Sequence, residues 1–137
     1  MALGHLLDTS VLTRLREPTV RDAVSRLLAD GTPRVSRLSC LELGFSARSG
    51  SEWREIQMAL GVFTILEVDD EDHRDALIMQ RDLADRGLRG RKLPDLLIAA
   101  SAARLNVIVL HYDHDFDLIA SVTGQPVAWI VPPGSVD

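Results

Sequence analysis

From Pro94 to Leu110 the chain is apolar at almost every position, and this stretch limits its possible folds more than any other. Residues 95–105 have the length of a helix, with Pro94 where a first helical residue should stand. That helix is apolar on nearly all sides, so it must be covered on nearly all sides. Asn106 ends it, and residues 107–110 follow as a continuous apolar run. Such a run suits a strand buried on both faces of a parallel sheet. A fold built around this stretch needs helices on both sides of a sheet, and the rest of the chain has to provide them.

The remaining segments alternate accordingly. Residues 5–7 form a short strand ending at Asp8, Thr9 and Ser10 can cap one or two helical turns over 11–16, and Pro18 breaks them. Thr19 opens a helix to about Asp30, with Val20, Ala23, Val24, Leu27 and Leu28 on one face, and Gly31 stops it. Residues 34–38 read as a strand, Ser39 starts a helix through about Arg48, and Ser51 caps another to about Leu60. Residues 63–68 are a β-branched strand, and 70–86 a charged amphipathic helix with Ala76, Leu77, Met79, Gln80 and Leu83 as its core face. Gly87 and Gly90 bracket an arginine-rich loop; a polar loop over 111–115 leads to a short helix ending near Gly124. A last strand spans 127–131, and Pro132, Pro133 and Gly134 close the domain. The expectation is a three-layer α/β/α fold with a central, mostly parallel sheet, in one domain over residues 1–137.

Composition narrows the class. Nearly half the residues are hydrophobic and mean hydropathy is +0.07, which suits a packed core rather than disorder. No apolar run reaches the roughly 18 residues a membrane span needs, and the first residues lack the pattern of a signal peptide. A single cysteine, Cys40, cannot form an internal disulfide, so the expected location is the cytoplasm. The net charge of −5 argues against a protein that grips nucleic acid by charge alone. Lys92 is the only lysine; the other basic residues are arginines.

The placement of acids is the informative feature. Asp8 stands at the carboxyl end of the first strand and Asp113 just beyond the end of the 107–110 strand, where ligand sites of parallel α/β sheets form. Glu42 and Asp95 lie in first turns of helices that can begin near that edge. Each also has a structural reading. Asp8 can cap a helix, Ser39 and Glu42 can form a capping box, Asp95 favours a helix dipole, and Asp113 can make an Asx-turn. Four independent caps have no reason to share one edge, whereas a metal site requires it. Converging carboxylates repel unless a cation neutralises them, and oxygen-only ligands select Mg²⁺ or Mn²⁺. Such an ion can activate water against a phosphodiester and bridge an acidic protein to a polyanion.

Leu7-Asp8-Thr9-Ser10, Glu42, the run from Pro94-Asp95 to Ala100, and His111 to Phe116 together resemble a PIN domain, most closely a VapC-type toxin of a bacterial toxin–antitoxin pair. The resemblance covers nearly the whole chain, and its strongest part is 95–115. It matches Asp8, Glu42, Asp95 and Asp113 to the family's acidic quartet, Asp115 to a frequent fifth acid, and Ser10 to an accompanying hydroxyl. It departs at position 111, which is His where the family commonly has Thr or Ser. It implies Mg²⁺- or Mn²⁺-dependent hydrolysis of RNA through metal-activated water, leaving 5′-phosphate and 3′-hydroxyl ends. It also implies a homodimer and a cognate antitoxin, in a heterotetramer or larger assembly.

His111 and His114 flank Asp113 and raise zinc, but the other candidate ligands are carboxylates. Arg89, Arg91 and Lys92 form a basic run that is either a solvated loop or a clamp on RNA phosphates. A haloacid-dehalogenase-like phosphatase would want an acid at position 10, which is Ser, and a receiver domain would want a lysine beyond a late strand, whereas Lys92 precedes the 95–105 helix. A non-catalytic PIN-like binding module is the remaining alternative. The uncovered apolar faces of helices 19–30 and 51–60 are the expected docking surface for the antitoxin.

Overall fold

A computed structural model describes residues 3–137. Five strands, β1 (His5–Leu7), β2 (Arg34–Ser36), β3 (Thr64–Leu66), β4 (Ile108–His111) and β5 (Val127–Trp129), form one sheet in the order β3-β2-β1-β4-β5. All four pairings are parallel. Seven α-helices connect them: α1 (Thr9–Leu12), α2 (Pro18–Asp30), α3 (Arg37–Phe45), α4 (Gly50–Ala59), α5 (Asp70–Asp85), α6 (Leu93–Leu105) and α7 (Asp115–Thr123). The chain runs outward from β1 to β2 and β3, then returns to add β4 on the other side of β1. The order therefore reverses between β1 and β4, and their carboxyl ends frame the crevice where such sheets hold ligands.

The three layers follow from the two-residue repeat of strands. Leu6 pairs with Val109, and both lie in a core with α5, α6 and α7, together with Leu83, Ile98, Phe116 and Ile119. Leu7 pairs with Leu110 and Val35, and all three face the opposite core with Val11, Val20, Val24 and Cys40. Ala99, Ala100 and Ala102 of α6 are completely buried, as the apolar run required. Asn106 ends α6 in the left-handed conformation (φ 52°), which asparagine tolerates well.

Several boundaries move. The strand expected over 34–38 stops at Ser36, because the Ser36 hydroxyl accepts the Leu38 N–H and starts α3 two residues early. This puts Ser39 inside the helix, so the Ser39–Glu42 capping box does not form. On α5, Ala76, Met79 and Leu83 are buried as expected, but Leu77 and Gln80 face outward. The buried stripe is 72-76-79-83, and its first member is Asp72. Residues 77 and 80 each lie one position, about 100°, off that stripe.

Candidate metal centre

β1 carries Asp8 to the carboxyl edge of the sheet, where its N–H donates to the Leu110 carbonyl at 2.9 Å. Its Oδ2 accepts the Ser10 N–H at 2.9 Å and caps α1. Its Oδ1 is buried without a hydrogen-bond partner. Asp95, in the first turn of α6, is buried too, and its Oδ2 also lacks a hydrogen-bond partner; the Lys92 ammonium stands 3.9 Å away. Buried polar atoms are rarely left unmet, so capping alone does not account for these two carboxylates.

Asp113 divides its oxygens. Oδ1 accepts the Asp115 N–H at 2.9 Å, the expected Asx-turn, and Oδ2 accepts from Lys92 Nζ at 2.9 Å. Asp115 accepts from Arg91 at 2.6 Å. One oxygen each from Asp95, Asp113 and Asp115 lies within 4.8 Å of the others, a span that one divalent ion and its waters can bridge. Glu42 comes from α3. Thr9 Oγ1 lies 2.8 Å from Glu42 Oε1 and 2.7 Å from Ser39 Oγ. A hydroxyl has one proton, so Thr9 donates to the carboxylate and accepts from Ser39. Asp8, Glu42, Asp95 and Asp113 line one cleft of about 460 Å³, with Arg14 and Lys92 also on its wall. Asp115 stands beside that lining, held by Arg91.

The charges strain against one another. Burial, then the neighbouring Asp8, pushes the Asp95 carboxyl up to about 7. Burial also raises Asp8, and Glu42 adds to the effect. At Asp113 burial again opposes the charge, but the Asp115 N–H and Lys92 outweigh it and hold the carboxyl below its ordinary value. Lys92 is raised in turn, chiefly by its hydrogen bond to Asp113. An oxygen-only donor set with two unmet buried oxygens fits a hard divalent cation.

His111 is not free to bind zinc. It is fully buried, stacked on Phe116 with ring centroids 5.2 Å apart and 4.9 Å from Trp129. The Asp113 N–H donates to His111 Nδ1 at 3.1 Å, which assigns the ring proton to Nε2, 3.6 Å from Asp117 Oδ1. Burial lowers its pKa and keeps the ring neutral. The same bond to the N–H two residues on is what a serine or threonine hydroxyl makes in an ST-turn. The imidazole therefore supports the Asp113 turn as a hydroxyl would.

The basic run splits: Arg91 and Lys92 pair with site acids, and Arg89 is exposed. Sequence reasoning missed Thr9, Arg14 and Tyr112. The Tyr112 hydroxyl donates to the Val136 carbonyl at 2.7 Å and accepts the Gly134 N–H at 2.9 Å. Arg14 stacks over its ring at 4.7 Å and donates to a main-chain oxygen of Asp137 at 2.8 Å. These residues fold the last segment against the cleft rim. Their partners lie far away in sequence; the only local signal was the position of Thr9 beside Asp8.

Away from the cleft, α3 and α4 expose Leu41, Phe45, Trp53 and Met58. A Cβ on Gly44 would lie 2.8 Å from Trp53 Nε1, so this glycine lets the indole close on α3. The apolar face expected to be open on α2 is instead covered: Val20 and Val24 are buried, and Ala23, Leu27 and Leu28 half-buried. No helix among the described residues is long and apolar enough to cross a membrane.

Residues 5–122 match the profile of the PIN domain. Ribonuclease VapC51 of Mycobacterium tuberculosis is 53% identical over 137 residues, covering 100% of both chains. Ribonuclease VapC21 of the same species is 38% identical over 98% of this chain and 99% of its own. Among solved structures, VapBC2 from Rickettsia felis, bound to a DNA fragment from their promoter, aligns with a TM-score of 0.75 at 16% identity, covering 90% of this chain and 96% of that one. VapBC-5 of M. tuberculosis aligns with a TM-score of 0.62 at 26% identity over 95% and 99%.

Proposed function

This chain belongs to the PIN domain family, and we propose that it is a metal-dependent ribonuclease of the VapC type, the toxin of a toxin–antitoxin pair. The observation that carries the reading is the pair of buried, unpartnered oxygens on Asp8 and Asp95, set in a cleft with Asp113 and Glu42 at the strand switch. Asp95 and Asp113 would hold Mg²⁺ or Mn²⁺, with Asp115, Asp8 and Glu42 available to the same ion, to its waters or to a second ion. When bound there, the ion polarises the phosphodiester and lowers the pKa of an attacking water. The chain's own residues do the rest. Thr9 orients Glu42, His111 and the Asp115 N–H fix Asp113, and Arg14 supplies a guanidinium for phosphate oxygens on the cleft wall.

The protein works in the cytoplasm as one domain, on RNA, as a homodimer held in check by a cognate antitoxin. Two apolar areas support such company: Leu41, Phe45, Trp53 and Met58 on α3 and α4, and Leu77, Ile78 and Leu93 around α5 and α6. A non-catalytic module has no use for buried acids kept without partners. The test is cleavage of RNA by purified Asp95→Asn protein with Mg²⁺. The expected result is a folded, inactive protein; wild-type cleavage by this variant would reject the assignment.

A further inference from the structure

Lys92 is the only lysine in the chain, and it stands immediately before α6 at the N-cap, where its side chain makes no cap bond. It is not needed to start the helix. Its Nζ lies 2.9 Å from Asp113 Oδ2 and 3.9 Å from Asp95 Oδ2, between two of the three carboxylates that can share an ion. The third, Asp115, already has Arg91. A tethered monovalent cation thus stands where the proposed site would receive a divalent one. The side chain is 64% exposed, so its stem can swing outward without disturbing the core.

An ammonium and a divalent ion held against the same two carboxylates repel one another, so the presence of one weakens the binding of the other. We propose that Lys92 is a built-in counter-ion of the metal centre: it bonds Asp113 and stands beside Asp95 before a divalent ion binds, is displaced by that ion, and then contacts a phosphate of the RNA in the cleft. The inference rests on the metal-dependent ribonuclease reading above. It differs from a plain phosphate clamp in one respect, since removing the charge must help the metal while harming the grip on RNA. A purely structural role would move both the same way.

The experiment measures Mn²⁺ binding by calorimetry and RNA cleavage kinetics on wild type, Lys92→Met, Lys92→Arg and Asp95→Asn. Lys92→Met should bind Mn²⁺ about two- to fivefold more tightly, the range expected for loss of one mostly exposed competing ion pair. The same variant should raise KM for RNA by about fivefold or more, as loss of a phosphate contact does. Lys92→Arg, which keeps the charge, should move both values less than Lys92→Met does. Reductive ¹³C-methylation adds a readout independent of activity. The methyl signal absent from labelled Lys92→Met belongs to Lys92; it should shift on Mg²⁺ saturation in wild type and stay put in Asp95→Asn. Equal or weaker Mn²⁺ binding by Lys92→Met, an unchanged KM, or an unmoved Lys92 signal overturns the counter-ion role. If wild type itself takes up no Mn²⁺, the metal-centre reading falls and this inference with it.

Discussion

Two buried aspartates sit in the first turns of neighbouring helices, Asp72 on α5 and Asp95 on α6, and their surroundings could hardly differ more. Asp72 is fully buried and fully met. It accepts from Arg104 at 2.8 and 2.9 Å, from the Ser101 hydroxyl at 2.9 Å and from the Asp69 N–H at 3.1 Å. Burial works against its charge, but the bonds from Arg104, the Asp69 N–H and Ser101 outweigh it and hold the carboxyl low. Asp95 is almost as buried, yet it keeps an oxygen unmet and its carboxyl rises to about 7. Burial of an acid therefore does not mark a site. A buried carboxylate whose oxygen is left unpaired is the better indicator, because that arrangement is costly unless something completes the shell. Asp72 fastens two helices together; Asp95 keeps an oxygen that the proposed cation would meet.

Paired mutation of the two aspartates should have opposite effects. Asp95→Asn should lower RNA cleavage by at least about a thousandfold, since a metal ligand acts on the transition state. Its melting temperature without metal should hold or rise, because repulsion with Asp8 is relieved. Asp72→Asn should do the reverse, costing about 2 kcal/mol of stability through the lost charge-assisted bonds while cleavage per folded molecule stays near wild type. Denaturant melts and cleavage rates on both proteins check this.

The two residues should also give stability opposite pH slopes. In metal-free protein the folded state keeps a proton on Asp95 up to about pH 7, whereas an ordinary aspartate releases it near 3.8. Between those values the folded state holds more protons than the unfolded chain, so stability falls as pH rises. Asp95→Asn should flatten that slope, and saturating Mg²⁺ should remove it. Asp72, held low, contributes stability above its ordinary 3.8 that is lost only on acidification below it. Thermal melts from pH 3 to 8 on wild type and both variants separate the two slopes.

A smaller effect is expected at His111. Replacing it with Thr keeps an acceptor for the Asp113 N–H and should change Mn²⁺ affinity by no more than about threefold, whereas Phe removes the acceptor and should cost about tenfold, as lost support of a ligand does. Equal affinities for the two variants would show that the turn holds without this bond.

Much of this was legible in the sequence. The three-layer fold followed from an all-round apolar helix and strand, features that no exposed element can carry. The edge position of Asp8 and Asp113 followed from where strands end. Less legible were bonds made by tertiary meeting: Thr9 with Glu42 across 33 positions, and Tyr112 with the last segment. The Ser39–Glu42 box failed because another local signal, Ser36, was a competing cap one helical turn earlier. Leu77 and Gln80 were misassigned to the core because the stripe they neighbour begins with a buried aspartate, whose burial is made tolerable chiefly by Arg104, 32 residues on.

Asp95 and its neighbours are proposed to complete their bonding with a divalent ion. The direct measurement is an anomalous difference map from crystals of the wild-type protein grown with Mn²⁺. The expected result is a peak within coordination distance of the Asp95 and Asp113 carboxylates, with the Lys92 ammonium no longer at Asp113. A map with saturating Mn²⁺ that shows no peak there, and Lys92 still on Asp113, would rule out the metal centre.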